Sequence, residues 1–280
     1  MTFNELQNYF LESVTGCYDQ DEAIEIFFML LDENNAMNRM DFVSKRNQPT
    51  EGIDSWKAQI ERLQRGEPIQ YVLGFADFWG MKINVSPAVL IPRPETEELV
   101  QLVSARFRKP LTLNVLDIGT GSGCIALSLK KELPQANVAG LDVSLKALEI
   151  ANLNGEKLGL KVDWVCADIV QFDTSLSYDI IVSNPPYIPI KDKAQMLKNV
   201  LEFEPHLALF APENDPLYFY KIIGDFAKKH LSKTNGKLYF EAHHEYANQV
   251  FELFKKDADV ELISDMFGKP RFVVISFKNE

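Results

Sequence analysis

The stretch Leu113-Asn114-Val115-Leu116-Asp117-Ile118-Gly119-Thr120-Gly121-Ser122-Gly123-Cys124-Ile125-Ala126-Leu127 decides how the rest of the chain is read. Its first part, Leu113 to Ile118, is a nearly continuous apolar run with the length of a strand buried on both faces. Three glycines follow. They let the backbone turn sharply and keep space open where a Cβ would collide with an approaching ligand. A helix opening at Ser122 and running to Glu132 points its free N–H groups back at that turn. A strand feeding a helix through a tight glycine turn begins a parallel β-α-β unit.

The same alternation continues downstream. Further strands are expected at Val138 to Asp142, Val162 to Cys166, Tyr178 to Ser183, Lys237 to Glu241, Val260 to Ile263 and Phe272 to Phe277, with helices at Leu145 to Leu158, Leu217 to Leu231 and Tyr246 to Lys256. The fold class is therefore α/β, a seven-stranded doubly wound, Rossmann-like sheet. The link around Gly268 and Pro270 is too short for a helical crossover, so the last strand is expected to run antiparallel.

Upstream, residues 1–70 carry apolar residues at helical spacing: Phe3, Leu6 and Phe10; Ile24, Phe27, Phe28 and Leu31; Trp56, Ile60 and Leu63. They read as a small α-helical bundle with Thr2 and Asp54 as N-caps and the phenylalanines in its core. In residues 71–92 the period falls toward two and a β-hairpin connector is expected. Pro92-Arg93-Pro94 stops it, a helix with an acidic first turn runs from Glu95 to Val103, and residues 93–280 form the sheet domain.

Composition narrows the function. The 46% hydrophobic and 25% charged residues suit a soluble globular protein, and no apolar run approaches the ~20 residues that span a bilayer. Met1-Thr2-Phe3-Asn4-Glu5 has no basic leader, so a cytoplasmic location is expected. Cys17, Cys124 and Cys166 are widely spaced in apolar contexts and read as reduced core thiols, with no metal site. The net charge of −11 argues against holding nucleic acid through phosphates. Residues 1–70 hold 13 Asp and Glu against 6 Lys and Arg, a surface that either steers a basic protein partner or is merely solvated.

The glycine spacing is G-x-G-x-G. It is neither the G-x-G-x-x-G of dinucleotide enzymes nor a G-K-[ST] triphosphate loop, which points to S-adenosylmethionine at Gly119, Thr120, Gly121, Ser122 and Gly123. Asp142, ending the next strand, can accept both ribose hydroxyls, and Ser144 is free to cap the helix that follows. For Asp168 an adenine contact and a purely structural role stand level. Asn184-Pro185-Pro186-Tyr187 follows the strand ending at Ser183, where two prolines forbid both strand and immediate helix. The Asn184 side-chain carbonyl and the Pro185 backbone carbonyl offer two close acceptors to a planar NH2, with Tyr187 as a flat face.

With Gly119 to Gly123, Asp142 and Asn184 to Tyr187 in this order, the chain resembles the class I amino-methyltransferases. More narrowly it resembles the bacterial release-factor glutamine methyltransferases. The likeness includes Glu67-Pro68-Ile69-Gln70-Tyr71-Val72-Leu73-Gly74, Phe78-Trp79-Gly80, Ser86-Pro87, Leu90-Ile91-Pro92-Arg93-Pro94-Glu95-Thr96-Glu97, Phe203-Glu204-Pro205 and Gly268-x-x-Arg271.

This resemblance implies S-adenosylmethionine as methyl donor and peptide chain release factors as protein substrate, modified at the glutamine of a Gly-Gly-Gln loop. It implies catalytic Asn184, Pro185 and Tyr187, substrate contacts from Asn184, Pro185, Pro186 and Tyr187, and cofactor contacts from Gly119 to Gly123, Asp142, Asp168, Ile169 and Asn184. It also makes residues 1–70 a substrate-recognition domain. A ribosomal protein, or the amino group of adenine or cytosine, would offer the same NH2; a nucleic-acid substrate would require a basic groove or target-recognition domain. Two departures stand out. Ile169 replaces an aromatic residue common in relatives, so aliphatic packing is expected there, and Ala242-His243-His244-Glu245 replaces a glycine-containing turn, with both histidines expected on the surface or in local hydrogen bonds.

Overall fold

The computed structural model describes residues 1–107 and 112–278. The chain forms two compact units, Met1–Phe75 with Leu197–Phe203, and Ala76–Met196 with Glu204–Glu280. The first is built from helices Phe3–Val14, Gln20–Asn35, Arg39–Lys45, Ile53–Gln64 and Ile69–Leu73, joined by the short helix Lys198–Phe203.

Thr2 caps the first helix as its sequence requires. Its Oγ1 accepts from Glu5 N–H at 3.2 Å while Glu5 Oε2 accepts from Thr2 N–H at 2.8 Å. Asp54 is not a cap; Gly52, in the left-handed region at φ 72°, precedes the helix, and Asp54 sits in its first turn. There the charge meets the positive helix end. Phe3, Leu6, Phe10, Trp56, Ile60 and Leu63 are buried, but the second helix turns Ala23, Ile26, Phe27, Leu30 and Leu31 inward in place of Ile24 and Phe28. Phe28 is placed at the margin, edge-on to Phe42 and beneath the Arg39 guanidinium at 4.3 Å.

Tyr71 to Leu73 belong to a helical turn closed by Gly74 at φ 83°, and not to the hairpin expected from residue 71 onward. A five-residue helix is too short for its period to show. The hairpin itself is β1 (Phe75–Phe78) and β2 (Met81–Asn84), joined by Trp79 and Gly80 at φ 52° and 64°. Two positive φ angles give the turn a twist that matches its strands. Trp79 is held in this costly conformation by its N–H, which donates to Glu97 Oε1 at 2.7 Å, and by its indole, which donates to Glu132 Oε1 at 2.8 Å.

Helix Pro94–Arg106 follows, with proline at its start. The sheet then takes β3 (Asn114–Ile118), β4 (Asn137–Asp142), β5 (Asp163–Cys166) and β6 (Ile180–Ser183); two-residue strands β7 (Ile188–Pro189) and β8 (Phe210–Ala211) pair separately; β9 (Lys237–Glu241), β10 (Ala258–Ser264) and β11 (Pro270–Phe277) complete it. The order is β10-β11-β9-β6-β3-β4-β5, seven strands, with β11 antiparallel to both neighbours and the other adjacent pairs parallel. Successive residues of β3 feed opposite cores, Val115 the one containing Leu99 and Leu127, Leu116 the one containing Tyr220 and Phe240.

Of the cysteines only Cys124 is buried. Cys17 and Cys166 are exposed free thiols, so apolar sequence neighbours did not make them core residues. Among the described residues no helix is long and apolar enough to cross a membrane.

Candidate active site

A cavity of about 380 Å³ opens at the carboxyl ends of β3, β4 and β6. Gly119, Gly121, Asp142, Asp168, Ile169, Asn184, Pro185 and Pro186 line it; Thr120, Ser122, Gly123 and Tyr187 do not. Switch-point strands β3 and β6 leave such a crevice because their connections depart to opposite sides of the sheet.

The glycine turn divides into two jobs. Gly119 and Gly121 have φ 75° and 55°, and a Cβ built on either meets nothing within 4 Å, so both face open space. Gly123 is also left-handed, at φ 80°, but its Cβ would fall 2.8 Å from the Trp164 ring. It is a packing glycine and the N-cap of helix Cys124–Glu132, which leaves Ser122 just outside the helix. Thr120 is buried and donates to Asp117 Oδ2 at 2.6 Å, an oxygen that also accepts from Ala126 N–H at 3.2 Å. Burial pushes the Asp117 carboxyl up to about 7 against those two hydrogen bonds. Ser122 is buried too, its carbonyl accepting from Asn154 Nδ2 at 2.9 Å.

Asp142 braces the turn. Its Oδ2 accepts from Gly121 N–H and its Oδ1 from Ser144 N–H, both at 2.9 Å, while burial raises its pKa. Ser144 caps the next helix, accepting from Ala147 N–H at 3.2 Å, so Asp142 is not needed for that role. Asp168 is exposed and accepts from Val170 N–H at 3.0 Å. Ile169 is buried on the cavity wall near Leu141 and Ile223, an aliphatic slot that Phe219 and Tyr218 also border.

Asn184 follows β6, where Ser183 Oγ donates to the Ile118 carbonyl at 2.7 Å and ties the two strand ends together. The Asn184 Nδ2 donates to Thr96 Oγ1 at 3.4 Å. Among the described residues no hydrogen bond is made to Asn184 Oδ1, and Asn184 lines the cavity. The Tyr187 ring lies against His243, centroids 5.5 Å apart, and its hydroxyl is pushed up to about 12, first by burial and then by the Glu241 charge.

A family model described as "Methyltransferase small domain" matches residues 96–203. A release factor glutamine methyltransferase of Flavobacterium psychrophilum is 37% identical over 99% of this chain and 100% of its own length. One from Bacteroides thetaiotaomicron is 40% identical over 96% of this chain and 98% of its own. The chain belongs to the release factor glutamine methyltransferase family. A solved methyltransferase from Pyrococcus furiosus, 20% identical, has the same sheet architecture with a TM-score of 0.52, covering 81% of this chain and 100% of that one.

In this member of the release factor glutamine methyltransferase family both histidines of the pair, expected on the surface or in local hydrogen bonds, are half-buried. His243 is partly buried between Tyr187 and His244, and burial, then the neighbouring His244, lowers its pKa. Among the described residues no His, Cys, Asp and Glu side chains group so as to hold a metal ion. The nucleoside cofactor expected from the sequence fits the donor set: an open cradle over Gly119 and Gly121, a carboxylate at Asp142 and an apolar slot at Ile169.

Several contributors carried no role in the sequence reading. Thr96 anchors Asn184, Glu241 lies buried beside Thr96, and the Arg93–Glu204 and Arg271–Asp265 pairs hold the surrounding loops. Their signal was present in the proline-arginine-proline-glutamate segment, in Phe203-Glu204-Pro205 and in Gly268-x-x-Arg271, which marked the resemblance without saying what each residue touches.

Proposed function

We propose that this protein transfers a methyl group from S-adenosylmethionine to the side-chain amide nitrogen of the glutamine in the Gly-Gly-Gln loop of peptide chain release factors. The observation that carries this reading is the placement of Asn184, Pro185 and Pro186 on the same cavity as Gly119, Gly121 and Asp142, in a chain 37–40% identical to release factor glutamine methyltransferases. Gly119, Gly121, Asp142, Asp168 and Ile169 would hold the cofactor, which supplies an electrophilic methyl on a sulfonium sulfur. Thr120, Ser122 and Gly123 shape the turn from behind.

An amide nitrogen is a poor nucleophile because its lone pair is delocalised into the carbonyl. Asn184 Oδ1 and the Pro185 carbonyl accept the two substrate N–H bonds, favour a nitrogen moving toward tetrahedral geometry and stabilise the positive charge developing on it. Tyr187, outside the cavity lining, follows the two prolines with its ring against His243 and so steadies the turn that carries Asn184 and Pro185. Orientation supplies much of the remaining acceleration. The methylated nitrogen releases its extra proton readily, so no strong base is required. The acidic helices of residues 1–70 recognise the protein substrate, and replacing their carboxylates by amides raises the Michaelis constant for release factor without changing turnover.

Incubation with labelled S-adenosylmethionine and, separately, a release factor, ribosomal protein or DNA tests the reading. Mass spectrometry is expected to locate the methyl on the Gly-Gly-Gln glutamine. A methyl found only on a base or on a ribosomal protein rejects it.

A further inference from the structure

We propose that Met266 and Phe267, at the tip of the β10–β11 turn, are a docking anchor for the release factor surface beside its Gly-Gly-Gln loop, an inference that rests on the substrate reading given above. β10 and β9 are both antiparallel to β11, so β10 runs with β9 and β6, and all three end at the sheet edge where the cavity opens. The turn of residues 265–269 therefore stands on the edge that carries Asn184. It lies three strand spacings from β6, roughly 14 Å. A protein interface of ordinary size covers about 800 Å² on each partner, a disc of roughly 16 Å radius. A release factor with its glutamine at Asn184 thus reaches the turn.

Among the exposed apolar side chains of this edge, Val143, Val170 and Leu207 line the cavity; Met266 and Phe267 do not. These two are 78% and 72% exposed, and neither packs into an apolar core of the sheet domain. A single exposed apolar side chain is ordinary in a soluble protein. Two large adjacent ones are set apart here by the rigidity of the turn beneath them.

All five backbone N–H groups of residues 265–269 are committed. Asp265 N–H donates to the Lys269 carbonyl and Gly268 N–H to the Asp265 carbonyl, both at 2.8 Å. Phe267 N–H and Lys269 N–H donate to Asp265 Oδ1 at 3.0 and 2.9 Å, and Met266 N–H donates to Glu98 Oε2 at 3.0 Å. The Asp265 side chain is fully buried, its Oδ2 accepts from Arg271 Nε at 2.8 Å, and Gly268 takes φ 77°. None of these bonds uses the side chain of Met266 or Phe267. A turn fixed in advance loses little freedom when its apolar tip is covered, so the burial goes into affinity. The surface it fits is an apolar recess on the release factor, next to the loop that carries the glutamine.

Full-length protein saturated with S-adenosylhomocysteine is titrated with intact release factor, and methyl transfer is measured to release factor and to a short peptide carrying Gly-Gly-Gln. Wild type is compared with Phe267→Leu and with a double variant, Met266→Ser with Phe267→Ser. In the double variant Kd and KM for release factor are expected to rise by ~10- to 100-fold, with turnover at saturation and transfer to the peptide within ~2-fold of wild type. Phe267→Leu keeps the release factor Kd within ~3-fold. Release factor affinity in the double variant within ~2-fold of wild type overturns the anchor. So does an equal loss on peptide and release factor, which assigns the two residues to the folding of the site. A dimer of this chain that the double variant dissociates, with release factor affinity unchanged, also overturns it and gives the turn to a second copy. Where the peptide is too poor a substrate to assay, the titration decides alone. Wild type that neither binds nor methylates release factor would instead overturn the underlying reading, and the anchor with it.

Discussion

Arg93 Nη2 sits 2.6 Å from Glu204 Oε1, a carboxylate whose side chain is 1% exposed. Ile91 N–H donates to the other oxygen at 3.3 Å. The pair therefore clamps two wall segments of the cavity, Ala88 to Leu90 and Pro205 to Ala208. Removing one partner of a buried pair leaves an uncompensated charge, so Arg93→Ala is expected to lower unfolding free energy by ~3 kcal/mol. Urea denaturation measures it; a loss below ~1 kcal/mol would mean that solvent already compensates Glu204.

Under the proposed mechanism Asn184→Ala removes one of the two acceptors for the substrate amide. Turnover should drop by at least ~10²-fold, about 2.7 kcal/mol, with cofactor affinity unchanged within a few-fold. Steady-state kinetics beside cofactor titration separate the outcomes, since equal losses in both would assign Asn184 to folding and not to chemistry.

Asp142→Ala deletes the carboxylate proposed to hold the ribose and also the acceptor for Gly121 N–H and Ser144 N–H. Cofactor binding should weaken by ~1.5–3 kcal/mol. Calorimetry showing native affinity would refute the ribose assignment.

The turn glycines should respond differently to the same methyl group. Gly123→Ala meets Trp164 at 2.8 Å in a left-handed backbone, and its stability should fall by ~2–4 kcal/mol. Gly119→Ala meets open space, so it should cost only ~1–2 kcal/mol of stability and act mainly on cofactor affinity. The pair is compared by thermal unfolding and cofactor titration, and indistinguishable profiles would contradict the division of labour.

Asp117 and Glu241 both have folded pKa values raised to about 7 from the ordinary carboxylate range. Folding binds their protons more tightly, so between about pH 4 and 7 the unfolded chain has released protons that the native state retains. Their contribution to stability is full below that window and is lost as pH rises through it. Asp117→Asn should flatten this fall in urea titrations between pH 5 and 7.5. An unchanged slope would show that Asp117 ionises without penalty.

Much of the architecture was legible locally. Leu113 to Ile118 carries strand length and composition, three glycines supply the turn, and the two prolines after Asn184 end β6 whatever surrounds them. The direction of β11 followed from a link too short to cross over. What misled was anything that depends on coverage. Cys17 and Cys166 have apolar sequence neighbours and exposed thiols, and Phe28 ceded the core to Ile26 because the packing of Phe27 and Phe42 sets the rotation of the helix.

The residue types at the site and their order along the chain were thus determined by the sequence alone, because strand ends, glycine turns and proline stops are short-range steric facts. Which atoms meet was decided only by the tertiary structure. Thr96 and Asn184 come from separate elements, and Arg93 reaches Glu204 across a sequence separation of 111. Each meeting depends on how the elements pack, and burial then gives those meetings their energy, since a carboxylate becomes sensitive to a single hydroxyl only once water has been excluded.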